Sequence, residues 1–75
     1  MKIAIGAKWH DKVNGNTYHN CKVIDGLTGE IAYIGFQYGY GKSYLDDARK
    51  AFPNETIIDG GEFYLTKANC QNGRF

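Results

Sequence analysis

The sequence predicts one small α+β domain, an antiparallel β-meander with a single helix packed on one face, in the order β-β-β-α-β. Three observations indicate this fold. Apolar and polar residues alternate at the start of the chain, Gly-rich turn signals separate the extended segments, and a capped apolar stripe with helical spacing lies near the middle. A chain of 75 residues provides one domain, residues 1–75, with a thin core. Dimerisation would be a natural source of added stability, so a homodimer is one expected partner state.

The first strand is predicted from strict alternation. One face would carry Ile3, Ile5, Ala7 and Trp9, and the other Lys2, Lys8 and His10. Asn14-Gly15 then signals a hairpin, because both residues tolerate positive φ. A second strand is expected from about Thr17 to Ile24.

The register of this hairpin has two alternatives in the sequence. A two-residue loop at Asn14-Gly15 pairs Trp9 with Asn20, and a loop one residue longer pairs Trp9 with Cys21. A slip of one residue moves every side chain to the other face. The longer or bulged turn is favoured, because it pairs apolar with apolar residues.

A third strand is predicted from Glu30 to about Tyr38, with apolar residues on both faces that favour a central position. A helix should begin at the N-cap Ser43, with Asp46 completing a short capping box, and stop at Pro53. Its apolar stripe would consist of Leu45, Ala48 and Phe52, flanked by Tyr44 and Ala51.

The last strand is expected from Glu62 to about Cys70, and Gln71–Phe75 reads as a polar tail. The predicted core would contain Trp9, Tyr33, Phe36, Phe52, Phe63 and Leu65.

Composition excludes several classes of function. Nine basic and eight acidic residues give a net charge of +1, so a polyanion-binding charge balance is absent and nucleic acid is not indicated as a partner. No apolar run approaches the roughly 20 residues of a membrane span, and Met1–Gly6 is too short for a signal-peptide core. We therefore expect a cytoplasmic protein without a membrane partner. In that compartment Cys21 and Cys70 would be reduced thiols, although a disulfide between them is an alternative if they meet in space.

Motifs for cofactors and catalysis are weak. Gly41-Lys42-Ser43 matches the end of a phosphate-binding loop, but the glycine required five positions before Gly41 is replaced by Phe36. Four residues are zinc-type ligands without standard spacing: His10, His19, Cys21 and Cys70. No nucleophile, base and orienting acid are brought together by the sequence. We expect no cofactor, no metal and no enzymatic activity.

Eleven aromatic residues are more than a core of this size can hold. Six of them compete for the remaining interior: Tyr18, Tyr38, Tyr40, Tyr44, Tyr64 and Phe75. Exposed tyrosine is an interface residue type, so a binding surface is expected. The first candidate site is the loop before the helix: Tyr38, Tyr40, Gly41, Lys42 and Tyr44. The second candidate is the hairpin: Asn14, Asn16 and Tyr18.

Two segments resemble short, uncharacterised bacteriophage-encoded proteins. Residues 8–20, KWHDKVNGNTYHN, resemble their W-x-D-x-V-N-G-N-T-Y-H stretch, and residues 36–45, FQYGYGKSYL, resemble their Y-G-Y-G stretch. Asn20-Cys21 departs from the small residue and Val expected there. The resemblance implies a viral protein in the cytoplasm of a bacterial host that binds a host protein or protein complex stoichiometrically. The leading expectation is inhibition of a defence component, of the anti-CRISPR or a related type. The alternative is a nucleic-acid or nucleotide-binding module that uses the Tyr/Gly loop at the helix N-terminus.

Overall fold

The computed structural model describes all 75 residues. Its elements are strands β1 (Lys2–Asp11), β2 (Asn16–Asp25), β3 (Ile31–Tyr33) and β4 (Gln37–Tyr38), helix α1 (Ser43–Ala51), strand β5 (Ile57–Tyr64) and helix α2 (Lys67–Gln71). The sheet has the order β3-β2-β1-β5, and β4 pairs with β2 beside the end of β3. The predicted α+β class, with a helix packed against the sheet, is confirmed.

The β1–β2 hairpin adopts neither of the two predicted registers. Trp9 pairs with Tyr18, instead of with Asn20 or Cys21. The faces are those of the disfavoured two-residue loop, because Tyr18 and Asn20 point to the same side of β2. The observed register also pairs apolar residues, Ile3 with Ile24 and Trp9 with Tyr18, so apolar pairing alone does not distinguish it from the longer-loop alternative.

The turn itself decides the register. Asp11 pairs with Asn16, which leaves a four-residue loop closed by a bond of 2.8 Å from the Gly15 amide to the Asp11 carbonyl. The Asp11 carboxylate accepts from the backbone amides of Val13 and Asn14 at 3.0 and 3.3 Å. Gly15 closes the turn with φ at +70°. This aspartate-capped turn satisfies more backbone donors than a two-residue loop would.

The predicted third strand is interrupted. Gly35, with φ at +110°, separates β3 from β4, and its amide donates to the Asn20 side chain at 3.1 Å. All three residues of β3 are exposed, and β3 lies at the edge of the sheet. The prediction of a central third strand is therefore wrong, since β1 and β2 hold the centre.

The end of the chain also differs from the prediction. β5 begins at Ile57 rather than Glu62, and it runs parallel to β1, with Lys2 opposite Ile57. The strand ends at Tyr64, and residues 67–71 form α2 instead of a strand and a polar tail. Thr66 begins α2 by accepting from the Asn69 amide at 3.3 Å. The alternating pattern predicted a strand through this segment because it did not take account of the N-cap at Thr66.

Helix α1 packs on the face of the sheet that the alternation marks as polar, which we call the helix face. Its core consists of Ala4, Cys21, Val23, Tyr44, Leu45, Ala48 and Ile57. Gly6 lies directly under the Tyr44 ring, because a Cβ at Gly6 would be 2.7 Å from that ring. The small side chains of Ala4 and Gly6 let the helix approach the sheet closely. The helix therefore packs on this face, although the opposite face carries the larger apolar residues. Lys8 also lies on this face, and it is buried through an ion pair with Glu62.

The opposite face, which we call the tail face, carries the large apolar residues of β1. Helix α2 covers its middle, where Cys70 donates to the Ala7 carbonyl at 3.3 Å. Phe75 packs between Tyr33 and Phe63, with ring centroids 5.9 and 6.0 Å away. Toward the start of β1 lies an isoleucine row in cross-strand register: Ile58, Ile3, Ile24 and Ile31. No helix covers this row, and Ile31 and Ile58 are exposed.

Several predicted core residues lie nearer the surface than expected. Tyr33 and Phe63 are exposed, whereas Tyr44 takes an interior place that the sequence did not assign to it. Cys21 and Cys70 are both buried free thiols on opposite faces of the sheet, so they do not pair. Neither helix is long and apolar enough to cross a membrane.

Candidate functional site: an aromatic surface and its supporting loop

A row of aromatic side chains crosses one end of the tail face. We call it the aromatic surface, and it consists of Trp9, Tyr18, Phe36, Tyr38 and Tyr40. Tyr18 is its centre: the Phe36 ring stacks on it at 5.3 Å and 10°, and the Trp9 ring lies 5.7 Å away at 26°. The strand register creates this row, because Tyr18 lies opposite both Trp9 and Tyr38.

The outer end of the aromatic surface is open to solvent. Tyr38 meets Tyr18 edge-on at 5.6 Å and Tyr40 at 6.5 Å. Exposed fractions are 60% for Tyr38 and 68% for Tyr40. Tyr38 and Tyr40 of the first candidate site are therefore accessible, and their rings are contiguous with Tyr18 of the second candidate site.

A buried histidine supports the loop that carries these tyrosines. His19 is almost fully buried, with Nδ1 3.2 Å from the Gly39 carbonyl and Nε2 2.6 Å from the Asp47 carboxylate. A Cβ at Gly39 would lie 2.7 Å from the His19 ring and 3.1 Å from the Ser43 Cβ, so this position needs glycine. Through this contact β2 and α1 fix the path of the loop.

Lys42, the cation of the first candidate site, is neutralised within the protein. Its ammonium forms an ion pair with Asp59. The hydrogen bond from Lys42 is the main cause that lowers the pKa of Asp59, followed by the Tyr44 hydroxyl and the Gly61 amide; the same pair raises the pKa of Lys42. The one lysine of the loop is therefore already paired with a carboxylate, with its side chain 66% exposed to solvent. Gly41 beside it is exposed, with φ at +64°.

Tyr44 is not a surface residue, which corrects the fifth member of the first candidate site. It is 1% exposed, and its hydroxyl donates to Asp59 at 2.6 Å. Burial raises the pKa of Tyr44, and the hydrogen bond to Asp59 raises it further. Tyr44, in the first turn of α1, points onto Gly6, whereas Tyr40 lies in the loop before the helix and is exposed.

Ser43 does not act as the predicted N-cap. It is the first residue of α1, and Lys42 occupies the cap position without a side-chain hydrogen bond. The Ser43 hydroxyl donates to the Tyr40 carbonyl at 2.7 Å. The serine therefore fixes the backbone under Tyr40 rather than satisfying a helix amide, and the capping box with Asp46 is wrong.

Of the three residues predicted for the second candidate site, two belong to the hairpin turn and its first strand pair, and one belongs to the aromatic surface. Asn14 is exposed, but its side chain donates to Asp11 at 2.8 Å and so stabilises the turn. Asn16 begins β2 opposite Asp11. Only Tyr18 joins the aromatic surface. No group of three or more potential metal ligands is brought together anywhere in the structure.

A cleft that sequence reasoning missed lies where β1 and β5 end side by side. It is open, with a volume of about 600 Å³, and is lined by Trp9, His10, Lys12, Tyr64, Leu65, Thr66 and Asn69. Only the parallel β1–β5 pairing brings these residues together, and nothing in the sequence indicated that pairing. Lys67 stands beside the cleft with Nζ 5.2 Å from the centroid of the Trp9 ring.

The two segments that resemble bacteriophage proteins meet in the aromatic surface. Residues 8–20 supply Trp9 and Tyr18, and residues 36–45 supply Phe36, Tyr38 and Tyr40. The His19–Gly39 contact joins the same two segments underneath. No protein-family model, no curated protein and no solved structure matches this chain.

Proposed function

We infer that this chain acts as a stoichiometric binding protein whose partner, another protein, contacts the aromatic surface. The supporting observation is that Tyr38 and Tyr40 are exposed at the end of a stacked aromatic row. Tyr and Trp are the residue types that dominate binding energy at protein interfaces. The polar hydroxyl and apolar ring of tyrosine suit a surface that is solvated when free and buried when bound.

The surface is also held rigid before any partner arrives. Stacking fixes Tyr18 between Trp9 and Phe36, while His19 and Gly39 fix the backbone of the loop. Side chains that are ordered in the free protein lose less conformational entropy on binding. A preformed aromatic surface can therefore give useful affinity from a small contact area.

Charge at this surface favours a protein over nucleic acid. Lys42 is paired with Asp59, so the loop lacks the free cations with which phosphate-binding surfaces contact a backbone. The alternative that the Tyr/Gly loop binds nucleic acid at the helix N-terminus is thus weakened at this position. Affinity for a protein partner should depend only modestly on salt.

A narrower proposal concerns the partner. The resemblance of residues 8–20 and 36–45 to bacteriophage proteins supports a host protein or protein complex in the bacterial cytoplasm, with inhibition of a defence component, of the anti-CRISPR or a related type, as the outcome. This part rests on the resemblance and on no contact within the structure. Inhibition by occupation needs only a binding surface.

Affinity capture from nuclease-treated bacterial lysate tests the broader proposal. We expect wild-type protein to retain a partner and to bind the purified partner in one-to-one ratio by calorimetry. Tyr40→Ala should raise Kd by roughly 30-fold, the effect of losing an aromatic anchor worth about 2 kcal/mol. Leu27→Ala is the matched control, because Leu27 is 91% exposed in the turn at the far end of β2. Identical capture by wild type and by Tyr38→Ala and Tyr40→Ala variants would remove the aromatic surface as the contact.

The narrower proposal is tested in cells. Expression in a bacterium that carries an active CRISPR system should restore plating of a targeted phage, and Tyr40→Ala should abolish this restoration. Unchanged plating across a panel of CRISPR and other defence systems would exclude the anti-defence role while leaving partner binding intact.

A second copy of the chain is favoured as a further partner by the isoleucine row. Four isoleucines lie in register on a sheet face that no helix covers, and Ile31 and Ile58 among them are exposed, so a second copy could bury them. We expect sedimentation to show a concentration-dependent dimer that Ile31→Lys weakens. A monomer at every concentration would show that the row has no such role.

A further inference from the structure

The open cleft at the ends of β1 and β5 combines an indole ring with polar groups that have no protein partner. Trp9 lines it from the tail face, and Tyr64, which lies opposite Lys8 on the other face of the sheet, lines its far side and is 66% exposed. The Asn69 side-chain amide forms no hydrogen bond within the chain, and His10 uses only Nδ1, 2.9 Å from the Thr17 hydroxyl. A volume of about 600 Å³ lies within the range of small-molecule sites.

The charges around the cleft are unbalanced toward positive. Lys12 and Lys67 form none of the ion pairs in the protein, which join other cations to acids. Asp11 is the acidic residue that interacts electrostatically with Lys67. Its carboxylate, however, accepts hydrogen bonds within the turn, and the bond from the Asn14 side chain is the main cause of its lowered pKa. Two free ammonium groups therefore stand beside an aromatic cleft.

An accessible indole ring together with free ammonium groups fits one class of ligand. A nucleobase can stack its planar ring on Trp9 and offer hydrogen-bonding edges to the Asn69 amide. A phosphate attached to it would lie within reach of long, flexible lysines at the rim. Lys67 rests over the Trp9 ring in the free protein and can exchange that contact for a phosphate, which a cation–π contact at an exposed site does not prevent.

We propose that this cleft binds a nucleobase carrying a phosphate, as a free nucleotide or as one unit of a single-stranded nucleic acid. It goes beyond the protein-binding function inferred above. The two sites share Trp9, but the cleft uses Lys12 and Lys67 and not Tyr38 or Tyr40, so variants of these residues test the two proposals separately. The contrast with Lys42 supports this location. Lys42 is neutralised by Asp59, whereas the lysines of the cleft are free.

Trp9 is the only tryptophan in the chain and borders both this cleft and the aromatic surface, so its fluorescence reports binding at either, and the Lys12 and Lys67 variants assign the signal to the cleft. Four probes are titrated into the full-length protein: adenosine monophosphate, adenosine, a short oligothymidylate and an acidic tyrosine-containing peptide without phosphate. Excitation at the red edge of indole absorption avoids absorption by the bases. We expect saturable quenching by the monophosphate or the oligonucleotide, and binding of adenosine weaker than that of the monophosphate by roughly tenfold or more. Quenching by the monophosphate assigns the site to free nucleotides, and quenching by the oligonucleotide alone assigns it to single strands.

Lysine variants test whether the ammonium groups act as proposed. Lys12→Ala and Lys67→Ala should each weaken binding by roughly fivefold, the effect of one exposed charge contact. Lys50→Ala is the matched control, since Lys50 is an exposed lysine on α1 that forms no ion pair. For an oligonucleotide, each cleft variant should also reduce the slope of log K against log salt by about 0.7.

Three outcomes would overturn the proposal. One is no saturable change in Trp9 fluorescence with any nucleotide up to roughly 10 mM, below which even weak binding is detectable. The second is equal affinity for adenosine and its monophosphate together with unchanged binding by Lys12→Ala and Lys67→Ala. The third is tighter binding of the acidic peptide than of every nucleotide, which would make the cleft a peptide site.

Discussion

Replacement of Gly6 by alanine should destabilise the protein, although the same change in an ordinary strand is favourable. Glycine in a strand costs conformational entropy, and alanine at a site with ordinary φ usually recovers roughly 0.5–1 kcal/mol. Gly6 has no positive φ. The sign of the effect is therefore set by packing alone.

The packing at Gly6 leaves no room for a methyl group. A Cβ there would lie 2.7 Å from two Tyr44 ring atoms and 2.9 Å from a third. Tyr44 cannot tilt away freely, because its hydroxyl is anchored to Asp59 at 2.6 Å. Overpacking of this kind costs about 1–3 kcal/mol, so after the entropy gain we expect a net loss of about 1–2 kcal/mol for Gly6→Ala.

A double-mutant cycle in urea, followed by circular dichroism, checks the cause. Tyr44→Leu removes the ring, so Gly6→Ala in that background should be neutral or slightly stabilising, with a coupling energy of about 1–3 kcal/mol. If Gly6→Ala costs the same in both backgrounds, the Tyr44 ring is not the obstacle and the described contact of α1 with the sheet is wrong.

Three further predictions concern the core, the pH dependence and the thiols. Leu45→Ala should lower the unfolding free energy by about 2–5 kcal/mol, because Leu45 belongs to α1 and is buried in the core between the helix and the sheet; an unmoved urea midpoint would contradict this. The pKa of Asp25 is lowered from 3.8 to about 2, chiefly by the hydrogen bond from the Leu27 amide. The stabilisation that ionised Asp25 gives the folded protein is therefore complete above pH 3.8 and is lost as the pH falls through about 2. Over that range the thermal midpoint of Asp25→Asn should fall less than that of wild type, and parallel curves would refute the assignment. Burial raises the pKa of Cys21 to about 11 and also raises that of Cys70, so iodoacetamide at about pH 8 should modify neither thiol until urea unfolds the chain, as mass spectrometry would show.

The class of the fold followed from the sequence because local signals were sufficient for it. Alternation in β1, the turn at Asn14-Gly15 and the stripe at Leu45 and Ala48 each specify an element without reference to the rest of the chain. What failed were the features that depend on distant partners. The parallel pairing of Lys2 with Ile57 and the burial of Lys8 against Glu62 are properties of contacts that no local pattern encodes.

In the candidate site, too, local signals were predictive and contacts between distant residues were not. Exposure of Tyr38 and Tyr40 was foreseen from the excess of aromatic residues, and the structure adds Tyr18 and Trp9 beside them. Tyr44 was misassigned, because helical spacing alone does not say which face of α1 meets the sheet. The sequence held one signal for the position of Tyr44. Gly6, opposite Cys21 in the strand pair, leaves a gap on the sheet that a large side chain must fill.

The parallel contact between β1 and β5 has a consequence for how the protein forms in the cell. β1 is synthesised well before β5, yet they are neighbours in the sheet. While the ribosome adds the intervening residues, β1 can hold only β2, and its other edge stays unpaired. Because pairing of segments so distant along the chain is slow, we expect the sheet to be completed only after β5 has been synthesised, in milliseconds or longer. Until β5 pairs, the exposed edge of β1 can pair with other chains, so we expect the nascent protein to bind chaperones that cover unpaired strand edges.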